Sequence, residues 1–403
     1  MPTPSAIRFA LNRPVLLALC VLLSASAGAE VGTADSARFY PAGKQMLFSM
    51  YSLISPQLEQ ARNLGYTAVG PYYSKPGKNP SLRNAAKAGL PVIYQAGRRI
   101  DFDATDPPDL EEELLFLQRD VEQASQSGDV AIWSLATEEL RYWRDIEMEW
   151  LRRATQTIRQ YDPAKRPIYM YEPNHRKAAS LAKTVPYLDY VAKGSYTNFV
   201  GMKNSRTWLR WSMEQTIAVA EEQGKTPLAL LWMARDQKTA ADVAAIEARA
   251  RHDVYLSLIL GAKGILIYSG WNKRKGFTEH FDRFFSAYSK LAEELNGQLG
   301  LADVFLFGKP SNPIEVSVRG SAGLQSFEYR KESFSYPVAS TAHFEYQDSH
   351  YLFLVNSGEH SIDVKLKGLP QNVEATDIFA SKKTELRDNV TLDRYAVVAL
   401  TWR

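Results

Sequence analysis

The sequence predicts an α/β protein, a (β/α)8 TIM barrel followed by a small all-β sandwich domain. Two textures along its 403 residues carry this reading. Up to about residue 300, short continuous apolar runs alternate with amphipathic helical stretches. Continuous rather than alternating strands imply a parallel sheet covered by helices. Beyond about residue 310 the helical periodicity stops. Short strands then follow one another with polar turns, as in an antiparallel sandwich.

The apolar runs fall at 45–51, 66–70, 91–94, 130–135, 166–171, 188–193, 227–232 and 264–268. After the first, a helix opens at Ser55-Pro56, where Ser caps and Pro takes the first helical position. Longer helical segments span 139–161 and 240–260. Eight runs over about 250 residues match the barrel. A doubly wound open sheet, the rival, announces itself with a glycine-rich loop after its first strand. Tyr51-Ser52-Leu53-Ile54-Ser55 is no such loop. The barrel is assigned to 38–305 and the sandwich to 312–403, joined by a linker at 308–313. Sandwich strands are expected at 314–318, 324–329, 342–346, 351–355, 362–366, 376–379 and 396–401.

Ahead of the barrel, residues 1–29 read as a secretory signal peptide. Arg8 and Arg13 precede a short apolar core at 15–23, and Ala27-Gly28-Ala29 supplies small residues for cleavage. A membrane-spanning helix needs roughly 20 apolar residues, about twice this core. The expected mature chain is therefore periplasmic or secreted, with no transmembrane segment. Cys20 raises a lipid anchor, but the bulky Leu19 before it argues against an attachment site. Cys20 is also the only cysteine, so the mature chain has no disulfide and no thiol chemistry.

Composition narrows the function. A net charge of +3 with interspersed signs gives no footprint for nucleic acid. The six histidines show no i, i+4 pair, and neither a phosphate loop nor a Gly-x-Ser-x-Gly elbow occurs. No metal or other cofactor is expected. Oligomeric state is not written in the sequence.

In a barrel, working residues sit at the C-terminal ends of the strands. The fourth run is followed by Trp133-Ser134-Leu135-Ala136-Thr137-Glu138-Glu139. This resembles the Trp-x-Leu-x-Asn-Glu-Pro pattern of the large clan of barrel glycoside hydrolases, with Trp133, Leu135 and Glu138 in register. Thr137 stands where the clan has Asn, and Glu139 where it has Pro. The resemblance implies Glu138 as general acid/base, and a glycosidic oxygen does need an enclosed acid to protonate it as it leaves. Both Glu138 and Glu139 are also suited to the first turn of a helix. The clan's nucleophilic glutamate after the seventh strand is missing here. Either the second carboxylate is Asp236, after that strand, or Glu172, after the fifth, or the site is not a retaining hydrolase of that kind. An ion pair with Arg176 or Arg141 competes for Glu172.

The rest of the rim mixes aromatic and polar side chains, as suits sugar C–H faces and hydroxyls. Candidate substrate-binding residues are Tyr51, Tyr72, Gln95, Arg98, Lys193, Tyr196, Asn198, Trp232, Arg235, Tyr268 and Trp271. Their cations suit an acidic sugar. The expected partner is a glycan, and the expected activity is hydrolysis of an O-glycosidic bond in an extracytoplasmic polysaccharide or oligosaccharide. A non-catalytic carbohydrate-binding or envelope-associated protein on a degenerate barrel is the alternative.

Overall fold

The computed structural model describes residues 46–53, 55–71, 80–106, 108–126, 129–196, 206–233, 239–270, 279–320, 323–371 and 373–403. The expected leader lies outside these residues, as do Tyr72, Asn198, Arg235, Asp236 and Trp271.

Seven parallel strands form the barrel sheet: β1 (Leu47–Met50), β2 (Val92–Ala96), β3 (Val130–Leu135), β4 (Ile168–Glu172), β5 (Tyr190–Gly194), β6 (Thr226–Trp232) and β7 (Gly264–Tyr268). Their spatial order is β1-β7-β6-β5-β4-β3-β2. The extended segment 66–70 joins the two edges. Thr67 N–H donates to the Phe48 carbonyl at 3.1 Å, and Gly70 N–H to that of Met50 at 3.2 Å. On the other side Val69 N–H donates to the Pro91 carbonyl at 3.0 Å, and Val69 accepts from Ile93 N–H at 2.8 Å. The ring therefore closes with eight staves, the second being the run 66–70.

Alternation along the staves sorts the side chains into two layers. Leu47, Ile93, Tyr169, Ala192, Leu228, Leu230 and Leu266 fill the barrel interior. Phe48, Trp133, Met170, Ala229 and Ile265 face the surrounding helices. Those helices are α1 (Ser55–Asn63), α2 (Pro80–Lys87), α3 (Leu110–Ser125), α4 (Asp145–Tyr161), α5 (Ala178–Leu181), α6 (Arg206–Glu222), α7 (Ala240–Ala244), α8 (Ile246–Leu260), α9 (Phe281–Asn296) and α10 (Leu301–Phe307). No helix among the described residues is long and apolar enough to cross a membrane.

Two helices differ from expectation. The segment read as 139–161 becomes helical only at Asp145, because Glu139 adopts a left-handed conformation (φ 61°). The intervening turn is held by Glu147, whose carboxylate accepts from the Arg141 backbone N–H and from its Nε, both at 2.6 Å. The segment 240–260 is two helices meeting at Ala245, the first opened by a capping box between Thr239 and Asp242.

The C-terminal strands are β8 (Lys309–Pro310), β9 (Glu315–Val318), β10 (Leu324–Tyr329), β11 (Glu332–Pro337), β12 (Ala339–Tyr346), β13 (Ser349–Asn356), β14 (Ile362–Lys367), β15 (Glu374–Asp377), β16 (Lys382–Glu385), β17 (Asn389–Leu392) and β18 (Val397–Trp402). A six-stranded sheet, β16-β15-β18-β13-β12-β8, faces the three-stranded sheet β17-β14-β9. Leu352, Leu354, Val364, Leu366, Leu392 and Trp402 pack between them. The expected linker contributes to this domain, since Lys309 and Pro310 pair with Glu345 and Phe344. Strands β10 and β11 join neither sheet and form a separate hairpin.

Strand β13 faces two cores. Leu352 and Leu354 point into the sandwich, while Phe353 and Val355 belong to the helix layer of the barrel. There the Tyr255 ring of α8 lies 6.0 Å from Phe353 and 5.4 Å from Phe379. A buried polar chain crosses the same contact. Asp253 Oδ1 lies 2.8 Å from His252 Nδ1, and His252 Nε2 lies 2.9 Å from Ser357 Oγ.

Candidate active site

A cleft of about 540 Å³ opens at the C-terminal mouth of the barrel. Tyr51 follows β1, Glu138 and Glu139 follow β3, Tyr171 lies on β4, and Asn174 and His175 follow it. Tyr196 follows β5 and Tyr268 ends β7, while Tyr329 and Arg330 come from the tip of the β10–β11 hairpin. Strand alternation sets the floor. Tyr171 and Tyr268 continue inward-facing rows of the barrel, and both rings meet that of Tyr196 over its filled interior.

The floor is aromatic throughout. The Tyr171 and Tyr196 rings stack at 6.0 Å with planes 12° apart, and Tyr196 lies 5.6 Å from both Trp232 and Tyr268. The Tyr51 and Tyr169 hydroxyls lie 2.7 Å apart. Asn174 Nδ2 donates to the Tyr196 carbonyl at 2.6 Å, fixing the loop after β5. Gly194 makes room for the stack, since a Cβ there would stand 2.9 Å from the Tyr171 hydroxyl and 3.1 Å from the Tyr196 ring.

Glu138 stands in the wall with its side chain 22% exposed, 4.0 Å from Arg99 Nη1. Burial pushes its carboxyl above the usual range, Arg99 opposes that rise, and Glu139 adds to it. A second depression of about 510 Å³ adjoins the first, lined by Arg99, Asp101, Asp103 and Arg141 among others. Glu138 and Glu139 line both. They form the ridge between a largely aromatic hollow and a charged one.

Two expected site residues are placed elsewhere, for one shared reason. Tyr171 and Ala192 point inward, so the next residues, Glu172 and Lys193, point outward to the helices. Glu172 is fully buried, ion-paired to Arg176, and accepts from Thr184 Oγ1 at 2.5 Å. Arg176 also donates to the Leu140 carbonyl. Burial raises the Glu172 carboxyl while Arg176 opposes the rise. Lys193 lies against α6, its Nζ donating to Ser212 Oγ at 2.8 Å and standing 4.0 Å from the Trp211 ring centre. Burial holds its amine well below the usual lysine range.

Of the other candidates, Tyr51, Tyr196 and Tyr268 line the cleft. Trp232 is not among the lining residues but its ring lies 5.6 Å from that of Tyr196. Gln95 is not among the lining residues. Arg98 is drawn away, its guanidinium 4.0 Å from the Phe116 ring centre and 3.4 Å from Glu112. Asp236, Tyr72, Asn198, Arg235 and Trp271 fall outside the described residues. Among the described residues no cluster of three or more histidine, cysteine or acidic side chains could hold a metal ion.

Tyr171, Tyr329 and Arg330 escaped the sequence reading. Tyr171 could have been found by counting inward positions along its strand. The hairpin left a fainter trace in the aromatic alternation Phe327, Tyr329 and Phe334, Tyr336, which exceeds what a sandwich edge needs.

No family model matches the chain, and no curated protein matches it by sequence. Solved structures do match. An α-amylase from Geobacillus thermoleovorans, solved with acarbose, superposes with a TM-score of 0.54 at 12% identity, covering 87% of this chain and 91% of that one. AmyP in complex with maltose gives 0.56 at 11% identity, with coverage of 91% and 98%. A GH27 β-L-arabinopyranosidase from Geobacillus stearothermophilus gives 0.50 at 11% identity, with coverage of 91% and 97%. The fold is thus shared with solved glycoside hydrolases, and the match extends over nearly the whole of each chain.

Proposed function

We propose that the protein is a glycoside hydrolase acting on an extracytoplasmic polysaccharide or oligosaccharide, with Glu138 as its general acid. The observation that carries this is Glu138 itself. It is a carboxyl enclosed at the wall of an aromatic barrel-mouth cleft, with a proton affinity raised by burial. A shift in that direction favours the protonated form from which a general acid works. The resemblance of the whole fold to amylases and an arabinopyranosidase supports the same class, although fold alone does not fix chemistry.

Glu138 would donate its proton to the glycosidic oxygen. As that C–O bond breaks, its electron pair stays on the departing oxygen. The sugar carbon, then oxocarbenium-like, takes the oxygen of water, whose proton passes to a carboxylate. That second carboxylate is Glu139, which lines the same cleft, or Asp236, four residues beyond the end of β6. A separation of about 5 Å between the two carboxyls gives retention, and about 6.5–9.5 Å gives inversion. The leader-like residues 1–29 support an address outside the cytoplasm.

The test is release of reducing ends from a panel of bacterial and plant polysaccharides. Glu138→Gln should lose at least about 100-fold, the usual worth of a positioned acid. Unchanged hydrolysis by that variant overturns the assignment. A carbohydrate-binding protein without catalysis is favoured by one feature, the absence of a glutamate in Trp232-Met233-Ala234-Arg235-Asp236. Saturable binding with no product from any polymer would support that second reading.

A further inference from the structure

The β10–β11 hairpin belongs to the C-terminal domain by sequence but to the barrel by contact. A two-stranded hairpin is marginal alone, and this one rests on α6. Its Tyr329 ring lies 5.0 Å from Trp208 and 5.7 Å from Trp211, Phe327 lies 5.7 Å from Trp208, and Phe334 lies 5.9 Å from Trp211. Lys177, just after His175, pairs with Glu332 at 2.5 Å. This seating holds the tip at the edge of the cleft.

The tip is a two-residue loop, Arg330-Lys331, with φ of 50° and 66°. Hairpin turns with two left-handed residues favour Asn-Gly or Asp-Gly, because other side chains strain there. Here long cations occupy both positions. Arg330 lines the cleft with its guanidinium 5.2 Å from the Tyr329 ring centre. Among the described residues no carboxylate stands within ion-pair distance of it, whereas the neighbouring Lys177, Arg176 and Arg141 are all paired.

Resting on the glycosidase reading above, we propose that the sugar held in this cleft is anionic, a uronic acid whose carboxylate is bound by Arg330. The guanidinium fork matches a carboxylate in a bidentate pair. The aromatic floor takes the face of the same sugar ring. Glu138 and Glu139 line the cleft from the loop after β3, and Arg330 enters it from the opposite domain. The carboxylate is therefore read by a residue that the barrel alone does not provide. His175, also lining the cleft, has its imidazole pKa lowered below the ordinary 6.5, first by burial and then by the nearby cations Arg330, Arg176 and Lys193.

The experiment measures binding, so that it stands apart from turnover. Glu138→Gln protein is titrated with oligomers of glucuronate, galacturonate, mannuronate and guluronate, with their methyl esters, and with sulfated and desulfated neutral oligosaccharides. At least one free uronate should bind tenfold or more tightly than its ester. Adding Arg330→Gln should bring that ratio close to one. Equal binding of acid and ester, binding of neutral sugars only, binding of nothing in the panel, or a ratio that survives Arg330→Gln each overturns the proposal. A preference for sulfated over uronate sugars overturns it in favour of a sulfate. Charge-selective binding without hydrolysis by the unmodified protein would sink the glycosidase reading and leave this one standing.

Discussion

Arg99 Nη1 stands 4.0 Å from a carboxylate oxygen of Glu138, and Glu139 follows on the same loop. The proton affinity of Glu138, the proposed acid, is thus set by one opposing and one reinforcing neighbour on top of burial. The alkaline limb of kcat/KM reports the acid in the free enzyme. Arg99→Gln removes the cation that favours the ionised form, so that limb should move to higher pH. Glu139→Gln removes the like charge, so it should move to lower pH, with residual activity needed to read it. A limb that stays fixed in both variants would separate Glu138 from the titration.

Arg176 joins two loops of the mouth by pairing with buried Glu172 and donating to the Leu140 carbonyl. Removing one partner strands a charge in the interior, at a cost of about 3–5 kcal/mol. Arg176→Met should therefore lower stability by that order in urea denaturation. Adding Glu172→Leu should recover a large part of it. If the single variant costs no more than a surface substitution, the pair is not buried as described.

Gly194 sits under the stacked Tyr171 and Tyr196. Gly194→Ala places a Cβ against both, and overpacking of this size costs about 1–3 kcal/mol. The expected result is modest destabilisation with a larger loss of glycan affinity, measured by titration calorimetry. Unaltered affinity would show that the stack is not the binding floor.

The contact between barrel and sandwich carries a pH dependence. Burial lowers the pKa of His252 below the ordinary 6.5. Between the lowered value and 6.5 the unfolded chain binds a proton that the folded chain does not. Stability is therefore full above about pH 6.5 and declines as pH falls below it. Asp253 acts in the same sense at lower pH, because Arg206 and His252 outweigh its burial and hold it below 3.8. His252→Gln should flatten the decline in denaturation midpoint between pH 6.5 and 5. The same slope in both proteins would place its origin elsewhere.

Much of the architecture was legible because each stave is a continuous apolar run. The runs at 130–135 and 264–268 coincide with β3 and β7 to the residue. The place of Glu138 beside the cleft agrees with its register in the glycosidase pattern that the chain resembles there. Glu172 and Lys193 were misplaced because strand ends were treated as rim, when one residue of parity decides between cleft and helix layer. Arg330 was out of reach for another reason. Its position depends on aromatic contacts between α6 and a hairpin more than 100 residues away, a pairing that no local pattern encodes.

Strand β13 has a consequence for descent. Its odd and even residues serve different cores, Phe353 and Val355 on one side and Leu352 and Leu354 on the other. A one-residue insertion or deletion there would turn both faces the wrong way at once. The C-terminal domain is thus poorly suited to being exchanged between proteins as a loose module. Barrel and sandwich are expected to have been inherited together, with β13 among the segments slowest to accept change.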